Sequence, residues 1–116
     1  MTASHINGQR AEQQAAEYLS QQGLKVIDRN VRKKCGELDI ICRHGPCWVC
    51  VEVKYRGNRD HGHPLETVNP RKLQRMIATF NLYLIDNNLN PAHTDIRFDI
   101  IAIDENELTW LRNVTI

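Results

Sequence analysis

Two short apolar segments separated by a tight turn constrain this chain more than any other feature in it. Glu37-Leu38-Asp39-Ile40-Ile41-Cys42 and Trp48-Val49-Cys50-Val51-Glu52-Val53-Lys54-Tyr55 are rich in β-branched residues and joined by Arg43-His44-Gly45-Pro46-Cys47. That is the pattern of a β-hairpin. Folded symmetrically about Gly45-Pro46, the hairpin sets Asp39 directly opposite Glu52, Ile41 opposite Cys50 and Glu37 opposite Lys54. Directly opposed residues have Cβ atoms roughly 4.5–5.5 Å apart. Two carboxylates that close repel unless a proton or a cation lies between them. On the second segment Val49, Val51 and Val53 point to one face, and Trp48, Cys50, Glu52, Lys54 and Arg56 to the other. A half-buried strand with Glu52 and Lys54 in solvent would read the same way; the opposed Asp39 is what argues for a site.

The remaining elements follow from periodicity and punctuation. A first helix is predicted from about Asn7 to Gln22, with Ala11, Ala15, Ala16, Tyr18 and Leu19 as its apolar stripe and Gly23 at C′. Leu24 to Arg29 reads as a strand, and residues 30–36 as a basic turn into the hairpin. Gly57 to Thr67 reads as a polar loop. Asn69 as N-cap, Pro70 at N1 and a staple from Val68 to Leu73 open a second helix. Its stripe is Leu73, Met76, Ile77, Phe80, Tyr83 and Leu84, ending near Asn87. Asn88 to Asp95 forms a turn, Arg97 to Ile103 a strand, and Leu108 to Asn113 a last short strand. The order is α-β-β-β-α-β-β. Three strands pair antiparallel, and the second helix carries the chain back to an added strand. The expected fold class is α/β: one domain over residues 1–116, with a mixed sheet and helices packed on it.

Charge sharpens the argument. Net charge is only +1, yet residues 29–75 hold 11 Lys/Arg against 5 Asp/Glu, and the rest holds 4 against 9. Three of the five acids in the basic stretch are Glu37, Asp39 and Glu52. A positive surface around an acidic spot fits a polyanion held over a metal site. Arg71, Lys72 and Arg75 share the first turns of the second helix with no acid at salt-bridge spacing along it. Cations there oppose the helix dipole, which argues for a purpose outside the helix, namely phosphate contact, against the plainer reading of a solvated face. Arg29, Arg32, Lys33 and Lys34 extend the track, with Arg56 at the end of the hairpin. Tyr55 is placed to stack on bases, whereas Trp48 belongs to the core.

Other chemistries fit less well. Cys35, Cys42, Cys47 and Cys50 do not reproduce the paired spacing of a zinc framework. Cys47 and Cys50 also point to opposite faces of a strand, so the cysteines read as small buried hydrophobes. His61 and His63 fall in the polar loop, where exposure is the expected state. No apolar run approaches membrane-spanning length, and no secretory h-region opens the chain. The expectation is a cytoplasmic protein with reduced thiols and no membrane partner.

Gly36-Glu37-Leu38-Asp39-Ile40-Ile41 followed by Val51-Glu52-Val53-Lys54-Tyr55-Arg56 resembles the YraN family, a poorly characterised bacterial family similar in motif to archaeal Holliday-junction resolvases. Arg29-Asn30, Gly8 with Ala11-Glu12, Lys72 and Arg97-Phe98-Asp99 match as well, so the resemblance spans nearly the whole chain. It implies a restriction-endonuclease-like fold and a PD-(D/E)XK site. Asp39 is then the metal-binding acid, Glu52 the second metal ligand, Lys54 the catalytic lysine, and Glu12 the additional acid of junction resolvases. Ala11 stands where the family usually has glycine, and the ending Asn113-Val114-Thr115-Ile116 lacks the usual Ala-Phe. The expected activity is Mg²⁺- or Mn²⁺-dependent hydrolysis of DNA phosphodiesters, with branched DNA among the candidate substrates. The alternative is a non-cleaving nucleic-acid-binding module of the same fold. RNA as a partner and homodimerisation both stay open on sequence alone.

Overall fold

The computed structural model describes residues 3–56, 69–105 and 107–114. The element order is α1 (Ala3–Gln21), β1 (Lys25–Lys33), β2 (Gly36–His44), β3 (Cys47–Arg56), α2 (Pro70–Asp86), β4 (Ile96–Asp104) and β5 (Glu107–Leu111). A turn of 3-10 helix, Pro91–His93, lies before β4. The strands form one sheet in the order β1-β2-β3-β4-β5. All neighbours are antiparallel except β3 and β4, which run parallel across the α2 connection. This is the expected α-β-β-β-α-β-β order, a mixed α/β arrangement consistent with a nuclease-like fold.

Helix α1 starts earlier than its periodicity suggested, and its other end is set by chemistry. Gly23 takes φ of 92°, a left-handed value that glycine adopts without steric cost. That lets the Leu24 amide donate to Leu19 O at 3.0 Å and the Gly23 amide to Ser20 O at 3.2 Å, closing a Schellman motif. Leu24 then drops into the core. At the start of α2, the Asn69 side chain accepts from the Lys72 amide at 2.8 Å, and Pro70 holds the first helical position, as the cap signals require. The staple residue Val68 lies outside the described residues.

The two helices cover opposite faces of the sheet. Ala11, Ala15, Ala16 and Leu19 of α1 pack on Ile40, Cys42, Val49, Val51, Ile101 and Ile103. Met76, Phe80, Tyr83 and Leu84 of α2 pack on Leu38, Ile41 and Cys50. Ile77, assigned to the inner stripe of α2 by spacing, is exposed, and Thr79 is buried in its place. Thr79 tolerates this because its hydroxyl donates to Arg75 O at 2.7 Å, which satisfies its polar group inside the helix. Gly36 lies so close that a Cβ there would stand 3.0 Å from Thr79 Oγ1.

Strand β1 is longer than expected. Residues 30–33, read as part of a turn, continue the strand to Lys33, and Val31, Arg32 and Lys33 pair with β2. The β1–β2 ladder contains one bulge, between Val26 and Asp28.

Candidate active site

Two backbone irregularities coincide at Asp39. In the β1–β2 ladder Arg29 pairs with Ile40 and Val31 with Leu38, but Asn30 and Asp39 between them do not pair. Asn30 has φ of 53°, a conformation that asparagine reaches more readily than most residues. On the other side, the β2–β3 ladder runs in the anticipated register from His44–Cys47 to Ile40–Val51 and stops one step short of Asp39. Asp39 is therefore not a paired neighbour of Glu52, as symmetric folding implied. The opened ladder leaves the Val53 amide facing the gap, and Asp39 Oδ2 accepts its proton at 2.9 Å.

The break also changes which way side chains face. Leu38 and Ile41, three residues apart, both pack on the α2 side; unbroken alternation would send them to opposite faces. In β1, Arg29 hydrogen-bonds Gln13 of α1 while Val31, two residues on, packs on the α2 side. Asp39 stands at the switch and lines a cleft on each side. On the α1 side a cleft of about 800 Å³ is bordered by Glu12, Arg29, Arg32, Asp39 and Tyr55. On the α2 side a cleft of about 400 Å³ is bordered by Asp39, Glu52, Arg71, Lys72 and Arg75.

Glu52 reaches the second cleft by simple alternation, two residues beyond the buried Cys50. It is only 8% exposed. Two ammonium groups meet its Oε1: Lys72 Nζ at 2.7 Å and Lys54 Nζ at 3.5 Å. The expected Glu37–Lys54 pair across the hairpin does not form. Glu37 instead pairs with Arg32 of β1 at 3.3 Å, because the ladder opens before positions 37 and 54 can oppose. Lys72, grouped by sequence with Arg71 and Arg75 as a phosphate contact, turns in toward Glu52, while both arginines stay exposed. Lys33 is engaged by Asp86.

The electrostatics follow from this crowding. Burial raises Asp39 to about 7, with the neighbouring Glu52 adding to it and the Val53 hydrogen bond opposing. Carboxylate proximity, the cause inferred from sequence, thus ranks behind desolvation. Glu12 is also raised, by burial first, with Arg29 pulling it back. Its Oε1 is buried without a hydrogen-bond partner among the described residues. Burial lowers Lys54, further helped by Lys72. Burial acts the same way on Lys72, but its hydrogen bond to Glu52, its contact with Lys54 and the charges of Glu52 and Asp39 together outweigh that, and the net shift is upward.

A stability consequence follows for Asp39. Its folded pKa lies above the ordinary value of 3.8, so between about pH 4 and 7 the folded state holds more protons than the unfolded state. Stability must then fall as pH rises through that window. Asp39→Asn, which keeps an acceptor and removes the charge, is expected to exceed wild type in stability at pH 8 by on the order of 2 kcal/mol, after discounting for the partly open site. At pH 4 the two proteins should differ little. Thermal melts of both across pH 4–8 measure this, and parallel curves would show that Asp39 titrates normally.

The other candidates named from sequence fall elsewhere, and two residues acquire roles that the sequence did not suggest. Tyr55 is exposed on the rim of the larger cleft. Trp48 packs in the core, edge-on to Tyr83 at 6.4 Å, with the Arg43 guanidinium over its ring. All four cysteines are free, and burial pushes the Cys42 thiol up to about 12. The side chain of Arg56, and His61 and His63, lie outside the described residues. Asp99, which stands out in the sequence only within the tripeptide Arg97-Phe98-Asp99, is fully buried and accepts two hydrogen bonds from Arg97, at 2.9 and 3.0 Å. An acid and a base two apart in an apolar strand share a face, which was the available signal. For Lys72 the signal was weaker: a right-handed crossover lays α2 on the face that carries Glu52.

Among the described residues no helix is long and apolar enough to cross a membrane. The model of an uncharacterised protein family, UPF0102, matches residues 11–103. A UPF0102 protein of Vibrio cholerae is 44% identical over 112 residues, covering 95% of this chain and 92% of the relative. Similar proteins of the same designation occur in Shewanella loihica, at 41% identity over 97% of this chain and 96% of the relative, and in Herminiimonas arsenicoxydans, at 42% over 97% and 88%.

Proposed function

We propose, for a chain that belongs to the uncharacterised protein family UPF0102, that it is a metal-dependent endonuclease hydrolysing DNA phosphodiesters. The observation that carries this reading is Asp39: a carboxylate held at a break in the sheet, beside the buried Glu52 and its two lysines, where two arginine-lined clefts meet. A binding module needs the arginines but has no use for a carboxylate buried beside a second one, an arrangement in which burial first and the neighbouring charge second raise the pKa to about 7.

The donor set suits a hard divalent cation. Asp39 and Glu52 offer oxygen only, and Oε1 of Glu12, without a hydrogen-bond partner among the described residues, lies across the break on the α1 side. Among the described residues no group of three or more His, Cys, Asp or Glu is placed to hold a metal ion, so any such ion would rest on fewer protein ligands. Mg²⁺ typically binds through one or two carboxylates and keeps its other positions for water and substrate phosphate. When bound, such an ion would polarise the phosphodiester and make an attacking water more acidic. The chain's own residues do the rest. Asp39 is aimed by its bond to the Val53 amide. Lys54 stands by to offset charge building on the phosphate. Arg29 and Arg32 on one side, with Arg71 and Arg75 on the other, hold the backbone of the nucleic acid.

The test is cleavage of linear, flapped and four-way DNA by the full chain with Mg²⁺ or Mn²⁺, beside Asp39→Asn. Wild type is expected to cut at least one substrate and the variant none. Tight binding without cleavage by wild type on every substrate would hand the case to a binding module.

A further inference from the structure

We infer that Lys72 is a displaceable counter-cation of Glu52: it occupies the carboxylate until a divalent cation takes that place, and then turns to the phosphate backbone. The inference rests on the metal-dependent reading above and adds a coupling between metal and nucleic acid that the reading alone does not require.

Three features of the structure lead to it. Lys72 Nζ and Lys54 Nζ approach the same oxygen, Glu52 Oε1, and Lys72 is the nearer at 2.7 Å against 3.5 Å. A divalent cation binding that oxygen would meet an ammonium group already in contact with it, and two like charges cannot share the position without strong repulsion. Lys54 is fixed on the same strand as Glu52, whereas Lys72 comes from another element, at the third position of α2. Its four-carbon stem is free to rotate about a capped, well-anchored helix end. Finally, Lys72 lines the same cleft as Arg71 and Arg75. Leaving Glu52 would therefore add a third cation to the pair of exposed arginines.

The consequence is thermodynamic. A bound polyanion favours the outward position of Lys72, which frees Glu52 for the cation, and a bound cation in turn frees Lys72 for the polyanion. Each ligand must then strengthen the other by the same factor. Sequence suggested only the outward position, the phosphate contact; the structure shows the inward one, and the exchange between them is what makes both useful.

The test is calorimetric titration of Mn²⁺ into the full chain, with and without a cleavage-resistant phosphorothioate DNA duplex. Lys72→Gln removes the competing ammonium, so Mn²⁺ is expected to bind about fivefold to tenfold tighter than to wild type without DNA. The gain in Mn²⁺ affinity that DNA brings to wild type should shrink in the variant. Lys72→Arg, which keeps the charge, should stay close to wild type and guards against a general effect of altering the helix. Unchanged or weaker Mn²⁺ binding by Lys72→Gln, with the DNA effect intact, overturns the inference while leaving the nuclease reading standing. Glu52→Gln separates the two failures: if it binds Mn²⁺ as wild type does, Glu52 is no ligand, and both the metal site and the exchange fall together.

Discussion

Asp99→Ala is expected to lower stability by about 3–5 kcal/mol, the usual cost of removing one member of a buried charge pair. Asp99 is fully buried and accepts from Arg97 Nε and Nη2, from Trp110 Nε1 at 3.0 Å, and from the Asn113 amide at 2.9 Å. One carboxylate thus joins β4 to β5 and to the segment after it. Trp110 carries the linkage on to α1 through an edge-on contact with Tyr18, ring centres 5.9 Å apart. Alanine would strand the Arg97 guanidinium, whose side chain is mostly buried, and orphan an indole N–H and a backbone N–H. Denaturant unfolding and thermal melts measure the loss, with a fall in Tm of more than about 10 °C. The double variant Arg97→Met, Asp99→Leu should lose less than Asp99→Ala, because it removes both charges together. A loss under about 1 kcal/mol for the single variant would mean that water or local rearrangement satisfies Arg97.

Lys54→Ala should reduce single-turnover DNA cleavage by on the order of 10²–10³, the common penalty for removing one electrostatic contact made in the transition state, while DNA affinity changes little. The ammonium stands 3.5 Å from Glu52, and burial keeps its pKa below that of an ordinary lysine. The effect on folding should be small, because Lys72 remains the nearer partner of Glu52. Cleavage rates beside binding isotherms and melts for each variant distinguish the roles. An affinity loss matching the rate loss would make Lys54 a phosphate contact. A stability loss with unchanged cleavage would make it only the partner of Glu52. Undiminished cleavage in both Lys54→Ala and Asp39→Asn would identify the activity as a contaminant.

Much of the fold could be read from residues because local rules and burial agree. The caps of α2 are written in Asn69-Pro70, and Gly23 ends α1. The hairpin register from His44–Cys47 to Ile40–Val51 follows from a symmetric turn and alternating valines. Where reading failed, two rules competed. Residues 30–33 look like a basic turn because Asn30 and the lysines suit one, yet pairing with Leu38, Glu37 and Gly36 holds them in a strand. Ile77 fits the helical stripe by spacing, but the sheet beneath α2 takes Thr79 instead. The chemistry of the site was legible as residue types, and its geometry was not. Alternation alone presented Asp39 to Glu52 as a cross-strand pair. A local backbone excursion instead moved Asp39 into a gap between strands, and a residue from the crossover helix claimed Glu52. Long-range contacts of that kind leave no periodic trace.

The left-handed residue in β1 has a consequence for how this sheet can vary. A strand pair normally tolerates sliding when its side chains are interchangeable, and resists it when one face is buried. Here a slip of one residue between β1 and β2 would set the turned backbone of Asn30 against Leu38 or Ile40, and would turn Val31 away from the α2-side cluster on which it packs. The weave therefore has a single allowed setting. The address of the acidic group along it is specified by a neutral amide on the neighbouring strand, whose own side chain is exposed.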